Sequence, residues 1–448
     1  MYRNISLDAL RGLAIIGMVL SGSIAHGGIL PAWMFHAQVP PPNHVFNPAL
    51  PGITWVDLVF PFFLFAMGMA MPMAGKKFAQ LLPMQVVMTI LKRFALLAFF
   101  ALFTQQMKAW VVTDEPTTYH YFIPCFAFAV LDVLLANTWK LLLKPWMYWV
   151  LWPLVLLGWW FMYHLTGKPL NLYKSDIILL VLANMALFGT FIYYFTTKNI
   201  LARWAAVAVV MAVFITAKST SSGWVHSVFY WNRFADWKID WLYKFYFLKY
   251  LAIVIPGSIM GNYVLTQAPN NEPTKWAGLL SFLLVIISTT LLYTRHTEWN
   301  ALISLTLAVV IYTQWRSKIS SMAVFLLLLG LILEAHEGGV KKDPSTFSYY
   351  FITAALAIYT WISLTVLQTA TWGNKLVTTT AAIGANPLVA YVAGSLLLLP
   401  ILHITGGITY FNALNTTPFI GFVKGVLFTS LVCLLAIIYT KRNRFWKT

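Results

Sequence analysis

Two histidines and three consecutive prolines lie in one short segment of the chain, HAQVPPPNH at residues 36–44. An imidazole titrates near neutral pH and can act as a base, a nucleophile or a ligand. Asp57 follows in GITWVDLVFPFFLF, and a carboxylate beside such a loop can orient and polarise an imidazole for catalysis. Alternatively, Asp57 only pins the loop in place. The prolines stiffen the loop, which is compatible with both interpretations.

The sequence after Asp57 frees one backbone group. Pro61 lies four residues later and has no N–H to donate to the Asp57 carbonyl oxygen. We therefore expect that oxygen to accept a hydrogen bond from another part of the protein. The Asp57 carboxylate itself needs a partner, because a charge just inside an apolar segment is costly to bury.

The composition places these residues in a membrane protein. Of 448 residues, 60% are hydrophobic and only 10% are charged, and the mean hydropathy is +0.74. A soluble chain carries about a quarter charged residues. Apolar runs of about 20 residues recur, each long enough to cross a ~30 Å hydrocarbon core as a helix. We predict an all-α, polytopic helical membrane protein with 12–14 transmembrane helices. The predicted spans are 9–30, 54–73, 84–104, 118–137, 145–163, 175–196, 200–217, 246–266, 274–294, 299–316, 319–337, 347–369, 380–402 and 418–440.

Basic residues predict the orientation of these spans. They cluster in GKK at 75–77, in RSK at 316–318 and in the tail KRNRFWK, whereas the loop 31–53 has none. We therefore expect both termini to be cytoplasmic and the loop with His36 to lie outside. All nine histidines then lie on or near the outer side, where an interfacial belt explains most of them. The net charge of +17 comes from residues at span ends, which indicates membrane anchoring rather than nucleic-acid binding.

Several longer motifs resemble one known family. They are SLDALRGLAIIGMVL, GITWVDLVFPFFLFAMGMAM, IPGSIMGNYVL at 255–265, AIGANPLVAYV at 382–392 and IYTKRNRFWK at 438–447. Together they resemble the transmembrane acyltransferase family that includes lysosomal heparan-alpha-glucosaminide N-acetyltransferase. The resemblance implies one transmembrane acyltransferase domain over residues 1–448, which moves acetyl from cytosolic acetyl-CoA to an amino sugar or glycan on the opposite side. In that family the catalytic histidine belongs to a His-Ala pair in the first outer loop. The resemblance therefore implies that His36, which is followed by Ala37, is the catalytic histidine, with Asp57 beside it.

The chain also departs from the animal members of that family. Two helix pairs, at 175–217 and 299–337, are expected in addition to the animal spans. Ser23-Ile24-Ala25-His26 stands near the outer end of span 1, where the animal enzymes carry an asparagine. These departures leave the acetyl-transfer chemistry in place and leave the acceptor sugar open.

CoA carries several phosphates, so its site needs basic residues at the cytoplasmic side. The candidate CoA-binding residues are Arg11, Lys92, Arg93, Asn386 and Arg442. Asp8 and Arg11 lie three residues apart on one helix face, which equally predicts an interfacial ion pair. Asn386 could hydrogen-bond a pantetheine amide or end a helix before Pro387. The glycines of AMGMAMPMAG and IPGSIMG are expected to permit close helix packing rather than to bind phosphate.

The candidate acceptor-binding residues lie in the outer loops. They are His44, Asn47, Trp231 and Lys341. Tryptophans in the segment 221–245 could stack on sugar rings, although tryptophan is also the default residue at a membrane interface. We expect no metal, because no ligand spacing such as HExxH is present. The expected co-substrate is acetyl-CoA.

The alternative function is a proton-coupled transporter or flippase for a small sugar or lipid-linked substrate. Asp57 and Asp132 in predicted spans and a proline-interrupted helix would suit a carrier, although no repeat of one half in the other is evident. We expect a bacterial inner membrane and contacts with lipid. The sequence leaves open the acceptor, N- or O-acetylation, direct or two-step transfer, and whether the protein is a homodimer.

Overall fold

Long apolar helices account for most of the chain. The computed structural model describes residues 4–165, 170–234, 236–267 and 271–447. Within these ranges, 11 helices are long and apolar enough to cross a membrane. The prediction of an all-α, polytopic helical membrane protein is therefore confirmed.

The long helices are α1 (Ile5–Ser21), α2 (Trp55–Phe78), α3 (Pro83–Gln106), α4 (Phe122–Leu135), α5 (Pro145–Leu165), α6 (Ile177–Phe195), α7 (Ile200–Ser219), α8 (Leu251–Thr266), α9 (Lys275–Tyr293), α10 (Thr297–Gln314), α11 (Lys318–Glu337), α12 (Phe347–Leu367), α13 (Thr371–Gly384), α14 (Pro387–Ile404) and α15 (Pro418–Lys441). The shorter helical turns are Ala32–Met34, Ala109–Val112, Thr118–Tyr121, Trp139–Leu142, Trp224–Phe229, Phe245–Tyr250 and Gly407–Ala413. The described residues also include one antiparallel strand pair, β1 (Arg233–Phe234) and β2 (Trp237–Lys238).

The count of candidate spans is lower than the predicted 12–14. Helices stand at the predicted spans 9–30, 145–163 and 299–316, but they are not among the 11 candidates. α1 has only 17 residues, whereas α5 is rich in tryptophan and tyrosine and α10 begins with polar residues. The prediction also extended the first span too far, because α1 ends at Ser21 and the glycine-rich stretch up to residue 30 is irregular.

Glycines allow the central helices to approach closely, as the sequence predicted. α2 packs against α1, α6, α8 and α12. A Cβ atom on Gly68 of α2 would collide with the Val254 carbonyl of α8, and one on Gly257 of α8 would collide with the Phe65 carbonyl of α2. Only glycine fits at these two positions, so the two helix backbones are in direct contact.

The predicted span 380–402 is interrupted. α13 ends at Gly384 and α14 begins at Pro387, with Asn386 between them in a conformation that is neither helical nor extended (φ −127°, ψ 58°). Proline has no N–H to continue a helix and disfavours the helical conformation in the residue before it. The predicted helix end at Asn386 is therefore present, and its role in binding a pantetheine amide stays a prediction.

The bundle has two ends that matter for the site. α1 and α2 run in opposite directions, so the loop 22–54 between them lies at one end, which we call the His36 end. The loop 338–346 between α11 and α12 lies at the same end, because Asp343 is hydrogen-bonded to Gln38. The opposite end contains the start of α1, the junction at Asn386 and the C-terminal residues 442–447.

Candidate active site

The side chains of His36 and Asp57 meet where α2 begins. His36 Nδ1 lies 2.8 Å from Asp57 Oδ1. The Asp57 side chain is only 2% exposed, whereas that of His36 is 39% exposed. A carboxylate accepts, so Nδ1 carries the proton, and the lone pair of the neutral ring is then on Nε2. The pair thus presents an oriented imidazole that can act as a base or nucleophile.

The Asp57 carboxylate is fixed by the loop around it. Its Oδ2 accepts hydrogen bonds from the backbone N–H of Ala37 at 3.2 Å and of Thr54 at 2.9 Å. The Thr54 hydroxyl donates to the carbonyl of Phe35 at 2.7 Å, which ties the start of α2 to the residue before His36. These contacts leave the carboxylate little freedom to turn away from the imidazole.

The backbone carbonyl of Asp57 has a partner outside its own helix. The hydroxyl of Tyr349, on α12, donates to this oxygen at 2.7 Å. Pro61 cannot supply the usual helical hydrogen bond here, so the expectation that another group binds this carbonyl is confirmed. The contact anchors the start of α2 to α12.

Lys342 contributes a third polar group to this site. Its Nζ lies 3.0 Å from His36 Nδ1, 3.3 Å from His36 Nε2 and 3.8 Å from Asp57 Oδ1. Burial lowers the pKa of Lys342, and the neighbouring carboxylates of Asp57 and Asp343 oppose this change. The site therefore combines a carboxylate, an imidazole and a partly buried amine.

The loop that carries Lys342 is held on both sides. The Gln38 side chain accepts from the Asp343 N–H at 2.9 Å and donates to the Asp343 carbonyl at 2.6 Å. The Glu337 carboxylate accepts from the N–H groups of Phe347 and Ser348, each at 2.8 Å, at the start of α12. Lys342 is therefore presented by a short loop whose backbone is fixed near both of its ends.

A cavity of about 310 Å³ opens beside His36 and Lys342. Lys108, Asp176 and Tyr391 contribute polar groups to its wall. The Tyr391 hydroxyl donates to Asp176 Oδ2 at 2.8 Å, and Asp176 Oδ1 caps the start of α6. Burial lowers the pKa of Lys108, and the carboxylate of Asp176 opposes this change. The cavity wall thus bears two amines and one carboxylate that is already engaged by its neighbours.

A separate small recess of about 20 Å³, large enough for about one water molecule, lies next to this cavity. It shares Met18, Phe60 and Tyr391 with the cavity and ends against Pro387. Its walls are almost entirely apolar. The recess therefore lies between the cavity and the start of α14.

Two of the five predicted CoA-binding residues lie close to each other. Arg11 donates to Asp8 Oδ1 at 3.2 Å and to the Gly384 carbonyl at 3.3 Å, so the expected Asp8–Arg11 ion pair is present. Arg93, half-buried on α3, lies within electrostatic range of Arg11. Lys92 is exposed on the same helix as Arg93. These arginines could meet an anion together.

The other two predicted CoA-binding residues lie at the C-terminal segment. Asn386 is fully buried, and its amide donates to the Arg444 carbonyl at 2.6 Å and accepts from the Trp446 N–H at 3.2 Å. Asn386 thus holds the C-terminal segment against the α13–α14 junction. Arg442 is exposed just after the end of α15.

The predicted acceptor residues are more dispersed. His44 Nε2 accepts from the Gly27 N–H at 3.1 Å, and its ring packs 4.6 Å from that of Phe35. Asn47 shapes the same loop, since its side chain accepts from the Ala49 N–H at 3.0 Å. Both residues support the loop that carries His36, and neither is among the residues that line the cavity.

Trp231 and Lys341 also lie away from the cavity lining. Trp231 is exposed, with its ring 6.0 Å from that of Tyr243. The backbone of Lys341 is hydrogen-bonded to Thr346, and the next residue, Lys342, is the one that contacts the imidazole. Their roles in acceptor binding stay predictions.

Sequence reasoning did not assign Lys342, Gln38 or Lys108 to the site. The segment EGGVKKDPST indicated that lysines lie near the site, because this short loop with glycines and a proline follows α11 at the side predicted for His36. It did not distinguish Lys342 from its neighbour. Gln38 carried a weaker signal as a polar residue inside the proline-stiffened loop.

Comparison with known families places the chain in one of them. The model of a family described as a domain of unknown function, DUF5009, matches residues 3–264, which is more than half of the chain. The chain belongs to this family. The matched region includes His36 and Asp57 and ends before Lys342. A comparison with curated proteins finds no match.

Proposed function

We propose that this DUF5009 family member is a transmembrane, acyl-CoA-dependent N-acetyltransferase. In this proposal it moves acetyl from cytosolic acetyl-CoA to an amino sugar or glycan on the opposite side of the membrane. The observation that carries the proposal is the His36–Asp57 pair, whose imidazole lines a cavity of about 310 Å³. The resemblance of the surrounding motifs to transmembrane acyltransferases supports acetyl transfer among the reactions open to such a pair.

The site suits two routes of transfer. In the direct route, the sugar amine attacks the thioester carbonyl, a C–N bond forms and the C–S bond breaks. His36 Nε2 takes the proton that the amine loses and passes it to the departing CoA thiolate. In the two-step route, Nε2 itself attacks the thioester, the thiolate leaves, and the amine then displaces imidazole from acetyl-imidazole. Both routes need the lone pair on Nε2 that the Asp57 contact provides.

The opposite end of the bundle offers a place for the donor. Arg11 and Arg93 lie there within electrostatic range of each other, and guanidinium groups bind phosphate oxygens well. CoA phosphates cannot cross the hydrocarbon core unaided, because each charge costs several kcal/mol or more there. The acyl arm is slim and only modestly polar. The recess of about 20 Å³ holds about one water molecule, so in this proposal the side chains around it move apart to let the arm reach His36.

The environment of Asp132 favours this proposal over a proton-coupled carrier. Asp132 accepts hydrogen bonds from the indole N–H groups of Trp139 at 2.9 Å and Trp446 at 3.0 Å, and it pairs with Arg444. Its carboxylate therefore holds the C-terminal segment against α4. A carboxylate engaged in this way is poorly suited to a proton relay.

The first test is acetyl transfer by the purified protein in detergent. We expect radiolabelled acetyl-CoA to acetylate at least one member of a panel of amino sugars, and His36→Ala to abolish the reaction with CoA affinity changed only a few fold. His164→Ala is the matched control, because His164 is exposed at the end of α5. Near-normal turnover by His36→Ala would refute the proposed role. Movement of intact substrate into liposomes without acetyl transfer would indicate a carrier.

The second test addresses the two sides of the membrane. In sealed vesicles of known orientation, acetyl-CoA should work only from the face with the chain termini, and the amino sugar only from the face with His36. A requirement for both substrates on one face would refute transmembrane transfer even if acetyl transfer takes place.

A further inference from the structure

We propose that Lys342 is a catalytic residue, whose ammonium group stabilises the negative charge that develops on the acyl carbonyl oxygen during attack beside His36. The inference rests on the proposed acetyl transfer and adds a residue to it. It starts from the contact of Nζ with the reacting ring, 3.0 Å from Nδ1 and 3.3 Å from Nε2.

These distances place the ammonium over the face of the imidazole. An atom in the ring plane and this close to both nitrogens would collide with Cε1 between them. Nζ therefore lies above the plane, and it leaves the in-plane direction of the Nε2 lone pair open. The in-plane direction of Nδ1 is already used by Asp57, 2.8 Å away. Lys342 can thus assist chemistry at Nε2 without blocking it.

A carbonyl group that reacts at Nε2 comes within reach of Nζ. In the two-step route the carbonyl carbon bonds to Nε2. Its oxygen is then two bonds from Nε2 and can turn to within hydrogen-bond distance of a cation that is 3.3 Å from Nε2. In the direct route the amine lies next to Nε2, and the carbonyl is one bond further. A preplaced cation stabilises such an oxyanion more in a partly dry site than in water.

The placement of Lys342 does not depend on the substrate. Gln38 fixes the backbone of Asp343 through two hydrogen bonds, and the Lys342 side chain is only 26% exposed. Burial lowers the pKa of the Lys342 amine, and the carboxylates of Asp57 and Asp343 oppose this change. A donor that is already in position needs little reorganisation during the reaction, which is the condition for strong oxyanion stabilisation.

A merely structural role would give different kinetics. If Lys342 only balanced Asp57, its loss would loosen the loop and weaken binding, so the KM values would rise. Loss of an oxyanion donor instead lowers kcat by about 10²- to 10³-fold and leaves the KM values within a few fold. Lys342→Gln removes the charge and keeps a polar side chain that is one atom shorter, and Lys342→Arg keeps the charge. Lys218→Ala is the control, since Lys218 is an exposed cation in the last turn of α7.

The experiment measures kcat and both KM values for these variants, together with the acylation rate of His36 by diethyl pyrocarbonate. Mass spectrometry quantifies the modified histidine, and this second readout needs no acceptor. We expect Lys342→Gln to lose about 10²-fold in kcat and to acylate His36 more slowly, and Lys342→Arg to recover part of both. Unchanged kcat, or a loss confined to KM, would overturn the proposal.

The acylation readout separates this inference from the proposed function. If the wild-type protein acetylates no amino sugar, acetyl transfer is refuted, and the rate of His36 acylation still decides the role of Lys342. Slower acylation in Lys342→Gln supports stabilisation of the oxyanion at His36. Equal or faster acylation means that the amine only covers the ring, and it overturns the inference.

Discussion

Replacing Asp57 with asparagine should remove catalysis by reversing the tautomer of His36. In the wild-type protein Oδ2 accepts from two backbone N–H groups, those of Ala37 and Thr54. In the variant the amide oxygen takes this position, so the NH2 group faces His36 Nδ1. An NH2 group donates, and Nδ1 must therefore accept. The ring proton moves to Nε2, where both routes of transfer need a lone pair.

The size of the effect follows from this geometry. A wrong tautomer in a carboxylate–histidine pair lowers kcat by roughly 10⁴-fold. At 1.36 kcal/mol for each factor of ten, the barrier rises by about 5 kcal/mol. Stability should change much less, because Asp57→Asn keeps the two backbone hydrogen bonds and loses only their charge-assisted part, about 1 kcal/mol.

The assay is acetyl transfer at saturating substrates, with the unfolding temperature measured on the same preparation. Glu298→Gln is the control, because Glu298 is an exposed carboxylate at the same end of the bundle, in the first turn of α10. Activity of folded Asp57→Asn within tenfold of the wild type would refute the tautomer argument. A variant that does not fold would instead support the alternative that Asp57 mainly pins the loop.

Three further predictions test the surroundings of the site. Gln38→Ala removes two hydrogen bonds to Asp343 and should lower the free energy of unfolding by about 2 kcal/mol and kcat more than tenfold; thermal unfolding and steady-state rates check both. Burial lowers the pKa of Lys342, so the wild-type protein should lose this cation, and its activity, as the pH rises through a value below the pKa of free lysine. In Lys342→Arg the alkaline decline of activity should shift to higher pH. An unshifted pH profile would contradict the role assigned to Lys342. Asp132→Asn weakens the contact with Trp446 and should make the C-terminal segment more sensitive to protease with kcat nearly unchanged; unaltered cleavage would show that the contact does not hold the segment.

The helix positions were largely predictable because hydrophobic length is a local property of the sequence. Each predicted span overlaps a helix of the structure. The errors lie where local chemistry ends a helix inside an apolar run, as after Ser21 and at Asn386. At Asn386 the break is stabilised by the backbone of Arg444 and Trp446, and no local pattern reports a partner 58 residues away.

The site was predictable only in part, for the same reason. His36 and Asp57 are 21 residues apart and joined by one stiff loop, so their proximity follows from the sequence. Lys342 is 306 residues from His36, and the chain offered two adjacent lysines without a way to choose between them. The choice depends on how the loop 338–346 docks, which is a tertiary contact.

The contact of Gln38 with Asp343 explains how two loops can hold a reactive geometry. Loops are generally the more mobile parts of a protein, whereas catalytic groups must keep their relative positions. Here the loop with His36 is tied to the start of α2 through Thr54, and Gln38 then ties it to the loop with Lys342. Since Gln38 uses both its donor and its acceptor on the N–H and carbonyl of one residue, Asp343, a shift of either loop breaks two hydrogen bonds at once. The imidazole and the amine are therefore held in fixed positions relative to each other, although the two residues are 306 positions apart in the sequence.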